Sequence, residues 1–295
     1  HEWSGTDWVQ RGQDIVGDVE WNKFGDAVAL SDNGTILAIG APGIGAISST
    51  EDPTIGIVKV YSWNGVSWVQ VGVTFDYHIE LRQLGDAVAL SADGTRLAIG
   101  SVRTSTGDID IFDWDGNNWV QVGTTITGEL GGSLAGRSIA LSPDGTQVTF
   151  GAPWNDGVGN SGGVRTYSWD GNDWIQNVGN LAGAASYDEF GKDIAVSYST
   201  DTLLIVGAHR NDENGSNAGQ VTVYKMNGNS WVQYGSTLKG EAANDLFGYS
   251  VAISGDGSRI IVGAPRNNAN GIGSGQVKIY EWNGTDWQQF GSDFY

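Results

Sequence analysis

One pattern governs the whole chain. The segment FGDAVALSDNGTILAIGAP (24–42) returns as LGDAVALSADGTRLAIGS (84–101), AGRSIALSPDGTQVTFGAP (135–153), FGKDIAVSYSTDTLLIVGAH (190–209) and FGYSVAISGDGSRIIVGAP (247–265). A second motif alternates with it: YSWNGVSWVQVG (61–72), FDWDGNNWVQVG (112–123), YSWDGNDWIQNVG (167–179), YKMNGNSWVQYG (224–235) and YEWNGTDWQQFG (280–291). A further copy of the second motif, EWSGTDWVQRG, opens the chain at Glu2. A repeat of this period cannot bury its apolar face alone, and stacking of neighbours creates the core. One domain over 1–295 is therefore expected, not two.

Each repeat reads as four antiparallel strands. In the last one, Tyr249 to Ser254 is apolar and partly β-branched, and Gly255, Asp256 and Gly257 turn the chain. Arg259 to Gly263 returns. After a Gly-rich loop, Gln276 to Trp282 alternates, Asn283 and Gly284 turn, and Asp286 to Phe290 closes. Asp-Gly and Asn-Gly between apolar runs are strong hairpin signals, because the turn needs positive φ. The paired aromatics Trp63/Trp68, Trp114/Trp119, Trp169/Trp174 and Trp282/Trp287 flank that second turn, with Met226/Trp231 in the fourth repeat. Face-to-face stacking of such sheets gives an all-β fold, a β-propeller of four-stranded antiparallel blades. Five blades are expected at about 24–72, 84–123, 135–179, 190–235 and 247–291. Residues 1–23 are left as an extra hairpin or a closing strand. A closed ring of five and an open arc of a longer array both fit this reading.

The signatures Phe-Gly (24–25, 190–191, 247–248) and Gly-Ala-Pro (40–42, 151–153, 263–265) resemble the FG-GAP repeat, which builds the propeller of integrin α subunits and of many secreted microbial proteins. The resemblance covers all five repeats, with departures at Leu84, Ser101 and Ala135. The Trp-Asn-Gly hairpins are similar to repeat arrays of marine bacteria and algae. The resemblance implies an extracellular or cell-surface interaction module, a binding or adhesion unit for glycan or protein. Many blades of that family hold calcium in a DxDxDG loop between their first two strands. Here that place carries SDNGT, SADGT, SPDGT, SYSTDT and SGDGS. None offers the alternating oxygens that a six- to eight-coordinate cation needs, so those sites are not carried over.

Charge narrows the partners. Lys and Arg number 15 against 34 Asp and Glu, a net charge of −19. Nucleic acid, whose phosphates need a basic surface, is disfavoured. No apolar run is long enough for a membrane-spanning helix, so no membrane insertion is expected. With no cysteine there is neither a disulfide framework nor a thiolate metal site. The chain starts at His1 without Met, which fits a processed product.

The loops between second and third strands carry the candidate site. Trp154 and Asn155, Arg210 and Asn211, and Arg266 and Asn267 fall at matching places and form an expected ligand-binding rim. Their neighbours Asp156, Asp212, Asn214 and Asn268 are candidate metal ligands, with calcium the only cofactor considered. Asn and Asp in such loops also bond their own backbone. Trp154 stands out because eleven of the 13 tryptophans belong to the repeated hairpins and it does not. Paired carboxylates at Asp188, Glu189, Glu241 and Asp245 would suit glycoside hydrolysis only if they converged across blades. The expectation is a non-catalytic module that binds glycan or protein, or self-associates through its terminal strands. The alternatives are a building block of an extracellular array and a carbohydrate-active enzyme.

Overall fold

The computed structural model describes residues 1–18, 20–43, 56–76, 84–102, 106–129, 132–154 and 159–295. No helix forms among them. Five antiparallel sheets follow one another along the chain, each ordered as in a meander. The first blade runs Ala27–Leu30, Ile36–Ala41, Ile57–Trp63, Trp68–Gln70, and the last Ser250–Ile253, Arg259–Ala264, Gln276–Trp282, Trp287–Gln289. In each of the first four blades the outer strand comes in two pieces. After Trp68–Gln70 the chain leaves the ladder and rejoins it at Phe75–Asp76, against the start of the same third strand. In the last blade Phe294 makes that second contact, with Val277.

The turn joining the first two strands closes on its own side chains. Asp256 Oδ1 accepts from Ser254 Oγ at 2.5 Å, Ser258 N at 3.0 Å and Ser258 Oγ at 2.8 Å. These bonds, led by that from Ser254, hold its carboxyl down at about 2. Asp93 and Asp144 repeat the arrangement with Ser91 and Thr95, and with Ser142 and Thr146. The turn carboxylate is thus satisfied by its own loop. At the second turn the tryptophan pairs meet across the strands, with ring centroids 5.3–5.5 Å apart in the first, second, third and fifth blades.

Blades pack in series. Val58, Val60, Leu97 and Ile99 form one interface, Ile109, Ile111, Val148 and Phe150 the next, then Val164, Ile194, Leu204 and Val206, then Ile205, Val223, Ile260 and Val262. Each such side chain contributes roughly 1.5–3 kcal/mol by burial. The motif glycines sit where neighbouring blades come closest. A methyl group on Gly40, Gly100, Gly151 or Gly207 would overlap the carbonyl oxygen of Gly85, Gly136, Gly191 or Gly248 of the next blade. The pairing Gly-Ala-Pro to Phe-Gly is therefore the contact between blades.

Among the described residues that series does not close. Gly25, the first Phe-Gly glycine, has open space at its Cβ position. Gly263, the last of its kind, meets only Ser250 of its own blade there. Val28 of the first blade is 63% exposed and Ile261 of the last 43%, whereas Val88 and Ile194 at the first position and Ala98, Thr149 and Ile205 at the second are buried. Among the described residues the five blades form an arc with two uncovered faces. The amino-terminal hairpin, Glu2–Trp3 with Trp8–Val9, pairs only with itself. The segment after it lies on the first blade: Trp68 Nε1 donates to Arg11 O at 3.1 Å, as Trp174 Nε1 does to Val122 O and Trp287 Nε1 to Tyr234 O. It occupies the place that the outer strand of a preceding blade would take.

Candidate functional site

Where the loops enter the inner strands of blades one, three, four and five, the backbone repeats one device. The residue before the Phe-Gly position has positive φ at Lys23, Leu134, Glu189 and Leu246, between 54 and 57°. Leucine and glutamate at such angles are strained, on the order of 1–3 kcal/mol each. The next loop is tied to this kink: Trp154 N donates to Ser133 O, Arg210 N to Asp188 O and Arg266 N to Asp245 O, at 3.1–3.3 Å. Three successive blades thus present Trp154, Arg210 and Arg266 in the same way.

These three residues line one cavity of about 510 Å³, together with Glu189, Lys192, His209 and Tyr249. Trp154 is 45% exposed and Tyr249 43%. Trp154, Arg210 and Arg266, which stand at matching places in the sequence, thus border one concavity. Their neighbours Asn211 and Asn267 do not join them. Both are buried, and their Nδ2 atoms donate to Asp188 Oδ2 at 2.9 Å and Asp245 Oδ2 at 3.0 Å. The same carboxylate oxygens accept from Ala185 N and Ala242 N. This corrects the reading of the two asparagines as rim ligands: each clips its loop to the kink, and the acids are taken up in the same clip. Asn155 and Asp156 lie outside the described residues. Of the remaining candidate metal ligands, Asp212 Oδ1 accepts from Asn217 N, Asn268 Oδ1 from Gly273 N, and Asn214 Nδ2 donates to Gly240 O. The loops bond themselves, and no cluster of three or more His, Asp or Glu suited to a metal forms among the described residues.

Two residues passed over in the sequence complete the cavity. Lys192 follows Phe190 and Gly191, where the other repeats place Asp26, Asp86, Arg137 and Tyr249. Its ammonium lies 5.6 Å from the centroid of Tyr249. Burial, then the charge of Arg137, lowers its pKa. His209 stands where three other repeats have proline. Its side chain is 4% exposed and its ring meets Tyr249 edge-on at 5.2 Å. Glu189 lies 3.6 Å from His209 Nε2 but pairs more closely with Arg210, at 3.1 Å. Burial therefore prevails, helped by Lys192 and Arg210, and pushes His209 down to about 3. Its Nδ1 has no hydrogen-bond partner. His209 signals itself as a departure from the repeated proline, and Lys192 stands at a position that varies from blade to blade.

Comparison with known proteins places the repeat. The FG-GAP repeat matches residues 182–224 and 237–280. No curated protein matches the sequence. Among solved structures the chain is similar to Kuenenia stuttgartiensis hydrazine synthase, with a TM-score of 0.58 at 16% identity over 96% of this chain and 69% of that one. It is also similar to a putative 6-phosphogluconolactonase from Bacteroides uniformis, with 0.56 at 12% identity over 92% and 85%. The β-propeller domain of the trilobed protease from Pyrococcus furiosus, described as having an open velcro topology, gives 0.52 at 9% identity over 92% and 71%. At these identities the likeness is one of fold alone.

Proposed function

We propose that this chain, a β-propeller built from FG-GAP repeats, is a non-catalytic binding module of the cell exterior whose ligand, glycan or protein, enters the cavity bordered by Trp154, Arg210 and Arg266. The observation that carries this is their convergence from three blades onto one concavity held by a strained, tightly clipped backbone. Rigid blades with variable loops suit recognition. A hydrolase is disfavoured by the fate of its candidate acids, since Asp188 and Asp245 are held in structural clips. The test is a screen of the intact chain on glycan and peptide arrays, repeated with Trp154→Ala. Hits lost in the variant at unchanged circular dichroism support the site. Hits equally strong in the variant refute it.

A second reading, a building block of an extracellular array, draws on the uncovered faces of the first and last blades. Gly25 and Gly263 have the form of blade-to-blade contacts and meet no neighbouring blade. Head-to-tail stacking through these faces would form an open array unless the rotation closed it. Sedimentation across a wide concentration range tests it: a monomer throughout removes the reading.

A further inference from the structure

The charge inside the cavity runs against the charge of the chain. The protein carries −19 overall, with only 15 basic residues. Three of these, Lys192, Arg210 and Arg266, border this one concavity. Arg210 is neutralised by Glu189 at 3.1 Å. Among the described residues no carboxylate stands within ion-pair distance of the Lys192 ammonium or the Arg266 guanidinium. Elsewhere the structure pairs its basic groups readily: Lys59 with Asp18, Arg96 with Asp113, Lys225 with Asp201, Lys239 with Glu213 and Lys278 with Glu241. A half-buried lysine left unpaired in so acidic a protein costs stability. It persists where a partner arrives from outside.

The remaining groups define that partner further. Trp154 and Tyr249 each leave a large part of the ring in solvent beside the cations. His209 Nδ1 is buried and unpartnered at the cavity wall. Exposed aromatic faces beside unpaired cations match a sugar ring that carries an acid group.

We propose that the cavity takes an acidic saccharide, its carboxylate or sulfate held by Lys192 and Arg266 and its ring laid against Trp154. This rests on reading the cavity as the ligand site. The carboxylate of a uronic acid and the sulfate of a sulfated sugar share the recognition chemistry, and arginine engages either in bidentate fashion. Burial of Lys192 beneath Tyr249 keeps the cation away from competing water and strengthens the pairing.

The test is isothermal titration of the intact chain with four probes: trigalacturonic acid, a sulfated galacto-oligosaccharide, neutral galactotriose and hexaglutamate. Lys192→Met, Arg266→Gln and Trp154→Ala are run alongside, with Arg259→Gln, at the opposite end of the strand Arg259–Ala264 and outside the cavity, as control. One of the two acidic sugars binds, and which one does identifies the acid group. Each cation variant weakens it about tenfold, the scale of one charge-assisted hydrogen bond. Trp154→Ala weakens it too, and galactotriose binds at least tenfold more weakly. If galactotriose binds as well as the acids and the cation variants change nothing while Trp154→Ala abolishes binding, the acid specificity is overturned and the cavity remains a ligand site. Hexaglutamate binding in preference to every sugar overturns the saccharide. If none of the four binds, the saccharide is overturned as well, and the glycan and peptide arrays decide separately whether the cavity binds at all.

Discussion

His209 makes this fold acid-sensitive in a defined window. Its ring is buried against Tyr249 beside Lys192 and Arg210, with Glu189 drawn off by Arg210. The native chain therefore holds it neutral down to about pH 3. In the unfolded chain it titrates near 6.5. Because the native value is depressed, the unfolded state binds more protons below that point. Stability is fully present above about pH 6.5 and falls as pH drops toward 3. Between pH 7 and pH 5 the loss from this one group is about 2 kcal/mol. The figure hardly depends on where below 4 the native value sits, since the native ring is neutral across that interval.

The assay is urea unfolding followed by tryptophan fluorescence at pH 7 and pH 5, for the intact chain and for His209→Gln. Glutamine does not titrate, so the variant loses the histidine term and keeps every other. Asp86, whose carboxyl burial raises to about 6, titrates in the same range and cancels in the comparison. The intact chain should lose about 2 kcal/mol more than the variant between the two pH values, whatever the absolute cost of the substitution. Equal losses in both chains would mean that His209 is protonated in the native state and paired with Glu189, and the electrostatic account of the cavity would be wrong.

Three further outcomes are expected. Gly207→Ala should unfold or severely weaken the chain, because its methyl group would overlap the Gly248 carbonyl, whereas Gly263→Ala should shift the thermal midpoint little; equal damage from both would show that the last blade is covered in solution. Trp174→Ala should cost roughly 3–5 kcal/mol because that ring is 5% exposed in an interface core, while the half-exposed Trp154→Ala should cost well under that, as read by chemical unfolding. Addition of chelator should move the melting temperature by no more than about a degree or two, since the turn carboxylates are bonded within their own loops; a large drop would reveal a metal bound to the native state.

The blades were legible because their causes are local. A Ser-x-Asp-Gly-Thr turn and an Asn-Gly turn with flanking tryptophans specify hairpins without help from the rest of the chain. The rim was legible in part, since Trp154, Arg210 and Arg266 align by simple counting. Asn211 and Asn267 were misread because a loop asparagine looks the same whether it faces solvent or an acid 22 or 23 residues upstream. Nor does the sequence separate Gly25 from Gly191, which carry the same motif; only the open space beside Gly25 does.

A repeat protein offers an internal test of what a position is for. Where one blade meets the next, the geometry recurs and so does the residue. Gly40, Gly100, Gly151 and Gly207 are alike because each abuts a backbone carbonyl, and nothing larger fits. Where the geometry recurs and the residue does not, packing has left the choice open. The position after Phe-Gly is Asp26, Asp86, Arg137, Lys192 and Tyr249 in turn. The backbone amide of Asp26, Arg137, Lys192 and Tyr249 closes the same bond, to the carbonyl three residues earlier, at 3.0–3.2 Å. Acidic residues stand there on the first two blades, basic ones on the next two, and an aromatic on the last. Arg137 is partnered by Asp86 at 3.4 Å. Lys192 has no carboxylate within ion-pair distance among the described residues and lies beside the ring of Tyr249 at the cavity. A fixed frame with a varied side chain suits a rigid scaffold to recognition, and on this arc that variation places the unpaired charge on blade four.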